Sequence, residues 1–254
     1  MMDALVAILL SIIPGALYAF IIWITVPYKS FSLRQAYSHI LLGMLSITFV
    51  NLAHSFFAPL YDESITIAMK SKLGDVLFLH RLSFFQVGIT EEVSKWLAFI
   101  FICSIRNVSD DGVEKDSPMA TMIYCAMVSL GFAILENVHY GATYGSGVLF
   151  SRLFSAVLLH IEVGLMMGYW IALSRINISY TKSIIGVIFN KNKRLKKIIL
   201  TFIGISTAVF VHGLYDFNLF VTGQDGLPLM YTILGLGAFI SYIGANHLIA
   251  LTKK

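Results

Sequence analysis

The sequence predicts an all-α membrane protein, a polytopic bundle of about seven transmembrane helices with one further helix at the membrane interface. Hydrophobic residues make up 57% of the 254 residues and charged residues only 13%, against about half and about a quarter in soluble domains. The mean hydropathy is +0.80. The apolar residues also occur in runs of about 20, the length that a helix needs to cross the hydrocarbon core. These observations exclude a soluble fold.

Seven apolar runs form a single integral membrane domain over residues 1–254, and polar or helix-breaking residues separate them. The predicted spans cover residues 4–27, 37–60, 85–105, 119–144, 152–174, 198–221 and 228–251. Pro27 closes the first run, Gly145 follows the fourth and Arg175 follows the fifth. Residues 73–84 contain Asp75, His80 and Arg81 among leucines and phenylalanines and are too polar to span, so we expect an interfacial amphipathic helix that leads into span three.

The basic residues predict the orientation. Of the 18 lysines and arginines, 13 lie after the odd-numbered spans: Lys29, Arg34, Arg106, Lys115, Arg175, Lys182, Lys191, Lys193, Arg194, Lys196, Lys197, Lys253 and Lys254. Because cytoplasmic loops carry an excess of lysine and arginine, the N-terminus is expected outside the cell membrane and the C-terminus in the cytoplasm. The formal charge of +4 therefore orients spans in the lipid bilayer and does not indicate nucleic-acid binding.

Four predicted spans contain ionisable residues, each of which costs about 2.5–3.5 kcal/mol on insertion scales and so indicates a function. They are Glu91, Glu92 and Lys95 in span three, Glu136 in span four, His160 and Glu162 in span five, and His212 and Asp216 in span six. At a rise of about 1.5 Å per residue, each of these four spans places a carboxylate or a histidine about 9–13 Å from the outer face of the membrane. The sequence therefore predicts one layer of polar groups in the outer half of the membrane.

The spacing within each helix adds detail. Glu91 and Lys95 are four residues apart and share a face, so Lys95 can neutralise one carboxylate, whereas Glu92 is displaced by about 100°. His212 and Asp216 are also four apart, which suits either two metal ligands or a ligand and its orienting partner. Two histidines and a carboxylate from different helices are typical of zinc sites that keep a position for water, which a second carboxylate can deprotonate.

The residues of this layer resemble four motifs of the PrsW family of membrane proteases, relatives of the CAAX prenyl endopeptidase and bacteriocin-processing (CPBP) superfamily. The motifs are E-E-x-x-K at Glu91 to Lys95, F-x-x-x-E at Phe132 to Glu136, a histidine in the next span at His160, and H-x-x-x-D at His212 to Asp216. Each motif lies in its own span and all four occur in order. The resemblance covers about residues 85–220, and we expect the catalytic core in residues 85–221.

The resemblance implies a role for each of these residues. Glu91 becomes the general base that activates water, with Glu92 as a supporting carboxylate and Lys95 as the cation that holds the pair. The implied metal ligands, most simply for zinc, are Glu136, His160 and His212, and Asp216 completes the shell or stabilises the oxyanion. A glutamate-based mechanism without metal is the alternative. Glu162 has no place in the motifs: it points to another face, with Arg152 or another helix as candidate partners.

The function that follows is an intramembrane endopeptidase of a bacterial cell membrane, which cleaves a membrane-anchored protein or peptide near the extracytoplasmic face. An anti-sigma factor is one such substrate in this family. Two alternatives stay open: a catalytically silent membrane protein that binds a peptide or lipid, as in bacteriocin immunity, and an ion- or proton-coupled transporter. The transporter predicts charges across the full thickness of the membrane. We interpret His54, His139 and His247 as packing residues that hydrogen-bond between helices and do not bind metal.

Overall fold

A computed structural model describes residues 2–25, 32–68, 72–108, 117–176, 192–223 and 227–252. Every regular element in this part of the chain is helical. The elements are α1 (Met2–Thr25), α2 (Leu33–Ala68), α3 (Lys72–Arg81), a π-helical segment (Leu82–Ile89), α4 (Thr90–Val108), α5 (Pro118–Tyr144), α6 (Gly147–Leu153), α7 (Ala156–Arg175), α8 (Lys193–Thr222) and α9 (Leu227–Thr252). The predicted all-α bundle is therefore confirmed.

Six stretches of the described chain are long and apolar enough to cross a membrane: Leu5–Thr25, Leu33–Phe56, Pro118–Tyr144, Gly147–Arg175, Lys193–Thr222 and Leu227–Leu251. They match six of the seven predicted spans. The predicted third span, residues 85–105, is helical but falls outside this set, because the first two turns of α4 carry three charged residues, Glu91, Glu92 and Lys95.

The helix predicted to lead into span three does so. The segment predicted as an interfacial helix, residues 73–84, lies in α3 and the π-helical segment, and these continue into α4 from Lys72 to Val108 without a break. The sequence does not indicate the π-helical segment at this junction, because a π-helix differs from an α-helix in its hydrogen-bond pattern and not in its composition. Several basic residues used for the orientation lie outside the described residues: Lys29, Lys115, Lys182, Lys191, Lys253 and Lys254.

Helix α5 is the central helix of the bundle and contacts α1, α2, α4, α6, α7 and α9. It begins at a capped turn, in which the Ser117 side chain accepts a hydrogen bond from the Ala120 N–H at 3.0 Å and Pro118 occupies the first helical position. It ends at Gly145, whose φ of 86° is accessible to glycine at no steric cost. Nearly all its residues from Met119 to Ile134 are buried, so this helix carries the core.

A pair of glycines lets α2 and α5 approach to backbone contact. A Cβ on Gly131 would lie 2.0 Å from the Ile40 carbonyl oxygen, and a Cβ on Gly43 would lie 2.0 Å from the Val128 carbonyl oxygen. Small residues at such crossings allow the close packing that holds helices together in membranes, where the hydrophobic effect contributes little. This contact fixes α2 against the helix that carries Glu136.

We expect Gly131→Ala to destabilise the protein by about 1–3 kcal/mol. The added methyl group would meet a backbone carbonyl, which cannot rotate away as a flexible side chain could. Thermal unfolding of the purified protein in detergent measures the loss. Gly235→Ala is the matched control, because nothing lies within 4 Å of a Cβ at that position of α9. Equal melting temperatures for the two variants would show that the helices do not approach this closely.

Candidate active site

The centre of the site is the first turn of α4. Glu92 and Lys95 are completely buried, and Lys95 Nζ lies 2.7 Å from Glu92 Oε1 and 3.3 Å from Glu91 Oε2. The spacing predicted that Lys95 would serve one carboxylate, four residues before it. The shorter contact is instead the three-residue one, and the ammonium group bridges both carboxylates. A cation with two buried carboxylates leaves one formal negative charge for the rest of the site to offset.

The π-helical segment holds this turn in place. The wider helical turn leaves the Gln86 carbonyl to accept hydrogen bonds from the Thr90 hydroxyl and from His54 Nε2, the latter at 3.1 Å. π-Helical turns are rare and often occur at functional sites. Here the turn ends at Ile89, directly before Thr90 and the glutamate pair. A Cβ on Gly88 would lie 3.2 Å from the Val209 carbonyl oxygen, so this turn also packs closely against α8.

His160 of α7 connects α4 with α5. Its Nδ1 lies 2.9 Å from Lys95 Nζ, and its Nε2 lies 3.0 Å from Glu136 Oε2. Since a carboxylate accepts and an ammonium group donates, the neutral ring carries its proton on Nε2 and presents the Nδ1 lone pair to Lys95. Phe132, one turn before Glu136, places its ring 4.2 Å from Lys95 Nζ. The F-x-x-x-E motif therefore contributes both its aromatic and its acidic residue to the site.

Arg152 is a member of the site that the sequence did not indicate. Its Nη2 donates to Glu136 Oε2 at 2.6 Å and its Nε donates to Asn137 Oδ1 at 2.7 Å. It comes from α6, and a break at Phe154 and Ser155 separates α6 from α7. The sequence predicted that span five would start at Arg152. The sequence does contain one indication of a turn before Arg152, because Gly145 and Gly147 lie between α5 and α6 and permit the chain to fold back on α5.

His212 of α8 closes the cluster from the opposite side. Its Nδ1 lies 2.7 Å from Glu92 Oε1, so this nitrogen donates, and its Nε2 lies 3.4 Å from Asp216 Oδ2 and 3.9 Å from Glu91 Oε2. In a neutral ring, Nε2 would present a lone pair to two carboxylate oxygens. That arrangement requires a proton, on the ring or on a carboxyl group, or a cation between these atoms. The α8 side of the site can therefore accept a metal cation in place of such a proton.

The donor set suits a divalent metal. Glu91, Glu92, His160 and His212 each offer a ligand atom, these atoms lie within 4.8 Å of one another, and all four residues are buried. Among the described residues, Glu92 Oε2 is a buried oxygen with no hydrogen-bond partner, which a metal would satisfy. Imidazole nitrogens with carboxylate oxygens are ordinary zinc ligands. Lys95 also places a positive charge beside the Glu91 and Glu92 carboxylates, so these two groups are paired with a cationic side chain even without a metal.

All seven predicted site residues lie in this one cluster, through the contacts given above. The tightest group of ligand atoms differs from the predicted metal set, which contained Glu136 and Asp216 and did not contain the glutamate pair. In the structure Glu136 Oε2 already accepts from both Arg152 and His160. Asp216 Oδ2 lies 3.4 Å from His212 Nε2. The roles of all these residues stay predictions.

Glu162 lies outside the cluster. Its carboxyl group packs against α9, where a Cβ on Gly237 would lie 2.3 Å from Glu162 Oε2, and its suggested partner Arg152 pairs with Glu136 instead. Of the histidines interpreted as packing residues, His54 bonds to the Gln86 carbonyl and His247 Nδ1 lies 2.9 Å from the Tyr169 hydroxyl. His139 is exposed.

Comparison with known proteins gives one consistent family. Residues 32–243 match the PrsW family of intramembrane metalloproteases. Curated proteins named "Protease PrsW" are similar to this chain: that of Oceanobacillus iheyensis is 29% identical over 156 residues, 61% of each chain. The Bacillus subtilis protein is 32% identical over 139 residues, 54% of each chain. The Geobacillus kaustophilus protein is 27% identical over 154 residues, 61% of this chain and 59% of its own.

The matched stretch thus spans less than two thirds of these relatives' own length. No solved structure matches this chain significantly. The family match, in contrast, includes every residue of the buried cluster and extends to α2 and most of α9. The six candidate membrane spans and the relatives from Bacillus and Oceanobacillus indicate a bacterial membrane protein. This chain belongs to the PrsW family of intramembrane metalloproteases.

Proposed function

We propose that this chain is an intramembrane endopeptidase that hydrolyses a peptide bond of a membrane-anchored substrate near the extracytoplasmic face. The observation that carries the proposal is the buried group Glu91, Glu92, His160 and His212, drawn from α4, α7 and α8 with ligand atoms within 4.8 Å. Such a group inside a bundle of apolar helices is costly and has no role in packing. It does have a role in activating water.

We assign the metal to His160, His212 and Glu92. Glu92 Oε2 is buried without a partner among the described residues, and the Glu92 carboxylate and the two imidazoles offer ligand atoms that lie within 4.8 Å of one another. A bound zinc ion would polarise the scissile carbonyl and make water more acidic. Glu136 then becomes the carboxylate that orients His160, since its Oε2 contacts His160 Nε2. This changes the role that the resemblance implied for Glu136.

Glu91 is the residue of the pair that we assign as the general base. Its side chain is 9% exposed, against 0% for Glu92, and its contacts with Lys95 and His212 are the longer ones, at 3.3 Å and 3.9 Å. It is therefore the less constrained carboxylate and the one that water reaches. Asp216 Oδ2 lies 3.4 Å from His212 Nε2, where it orients that ring or completes the shell of the metal.

The face of cleavage follows from the predicted orientation. Glu136 lies eight residues before the end of α5, and His212 lies ten residues before the end of α8, about 12–15 Å by helix rise. Both ends are on the predicted outer side. A single-span protein with a short extracytoplasmic segment, such as an anti-sigma factor, fits this geometry.

The test uses the 254-residue chain in liposomes with a set of single-span membrane peptides, and mass spectrometry identifies the products. We expect one cut near the outer end of the substrate span, one zinc ion per chain, and loss of both zinc and cleavage in His212→Ala. His247→Ala is the matched control and should keep both. Zinc without cleavage of any peptide would favour a silent binding protein, whereas ion flux that requires Glu91 would favour a transporter.

A further inference from the structure

The structure assigns Arg152 as a positioning residue for the active site, a role that rests on the proposed peptidase function. Arg152 makes three contacts with one face of α5. Two are the hydrogen bonds to Glu136 Oε2 and Asn137 Oδ1, and in the third the guanidinium carbon lies 3.7 Å from the centre of the Tyr140 ring. A planar guanidinium group with two directed donors and a stacked face is held in one orientation.

The element that carries Arg152 is itself fixed. Leu149 of α6 is 2% exposed and packs against Gly141, where a Cβ would lie 2.8 Å from Leu149 Cδ1. The Tyr18 hydroxyl of α1 donates to the Leu153 carbonyl at 3.0 Å. Both contacts tie α6 to its neighbours on either side of Arg152. These contacts hold the backbone of α6 in place on both sides of Arg152.

The contacts of Arg152 reach His160 through Glu136. Glu136 Oε2 accepts from Arg152 and lies 3.0 Å from His160 Nε2, while His160 Nδ1 lies 2.9 Å from Lys95 Nζ. Arg152 therefore sets the position of the oxygen that holds the His160 ring and its tautomer. Changes to the partners that orient a metal ligand, here Glu136 for His160, affect activity by about 10- to 100-fold, and Arg152 acts through this partner.

We expect Arg152→Gln to lower kcat by about 10- to 100-fold with KM changed less than twofold, and Arg152→Lys to recover only part of kcat because lysine cannot donate in two fixed directions. In the Glu136→Gln background, Arg152→Gln should lower kcat less than twofold further. Arg175→Gln is the matched control: Arg175 ends α7, the helix that carries His160, and bonds to Thr121 Oγ1 at 3.2 Å, fifteen residues along that helix from His160. Unchanged kcat in Arg152→Gln, or additive losses in the double variant, would overturn the proposal.

A second readout does not require activity. In ¹⁵N-histidine spectra of the metal-free protein, the His160 signals, identified by their loss in His160→Asn, should show the Nε2–H tautomer alone. Arg152→Gln should introduce the Nδ1–H tautomer, and Arg175→Gln should not. If the wild type cleaves nothing, the peptidase proposal fails and this measurement still decides the role of Arg152. Identical His160 spectra in wild type and Arg152→Gln would then reject it.

Discussion

Glu91→Gln is expected to lower the rate of peptide cleavage by about 10²–10⁴-fold, the range for loss of a general base. Glutamine keeps the shape and a hydrogen-bonding oxygen for Lys95 but cannot take a proton from water. The Lys95–Glu91 contact is the longer of the two that Lys95 makes with carboxylates, 3.3 Å against 2.7 Å for Glu92. The fold should therefore survive the change, and single-turnover cleavage in liposomes measures the loss.

The chain offers a matched control for this variant. Glu162 is also a buried glutamate in a predicted span, but its carboxyl group packs against Gly237 of α9 and takes no part in the cluster. Glu162→Gln should keep the wild-type rate. If Glu91→Gln cleaves as fast as Glu162→Gln, then Glu91 is not the base. Loss of rate in Glu92→Gln together with loss of bound zinc would separate the ligand from the base.

Sequence reasoning predicted which residues meet, and the physical reason is helix rise. A fixed advance of about 1.5 Å per residue turns distance from a helix end into depth, so residues 91, 136, 160 and 212 could be assigned to one layer before any contact was known. The all-α class followed from apolar run length in the same way. Neither inference requires knowledge of how the helices pack.

The pairing within the cluster was not predictable in this way, because depth does not determine rotation. The four-residue spacing predicts one carboxylate partner for Lys95, Glu91, whereas in the structure Lys95 bridges Glu91 and Glu92. Arg152 was read as a charge at the start of span five, since an apolar run cannot reveal the break at Phe154 and Ser155 that turns α6 against α5. Roles such as base or ligand came from the family resemblance alone.

Lys95→Met is expected to destabilise the protein by about 3–5 kcal/mol, the cost of removing one partner of a buried ion pair. Methionine fills the volume but leaves Glu91 and Glu92 without their cation in a site where Glu92 is 0% exposed. The ring of Phe132, 4.2 Å from Nζ, cannot replace that charge. Unfolding in mixed detergent micelles measures the loss, and EDTA is required because a bound metal would supply the missing positive charge.

The double variant Glu92→Gln with Lys95→Met separates charge from packing. It removes one negative and one positive charge together, so the free energy of unfolding should recover most of the loss. Cleavage should stay absent, because the double variant lacks a carboxylate that we assign to the metal. If Lys95→Met in EDTA is as stable as the wild type, the carboxylates bind a proton in its place, and Lys95 does not hold the glutamate pair ionised. If the double variant is as unstable as Lys95→Met, the lost stability comes from packing around Phe132, and Lys95 does not stabilise the fold by balancing the charge of the carboxylates.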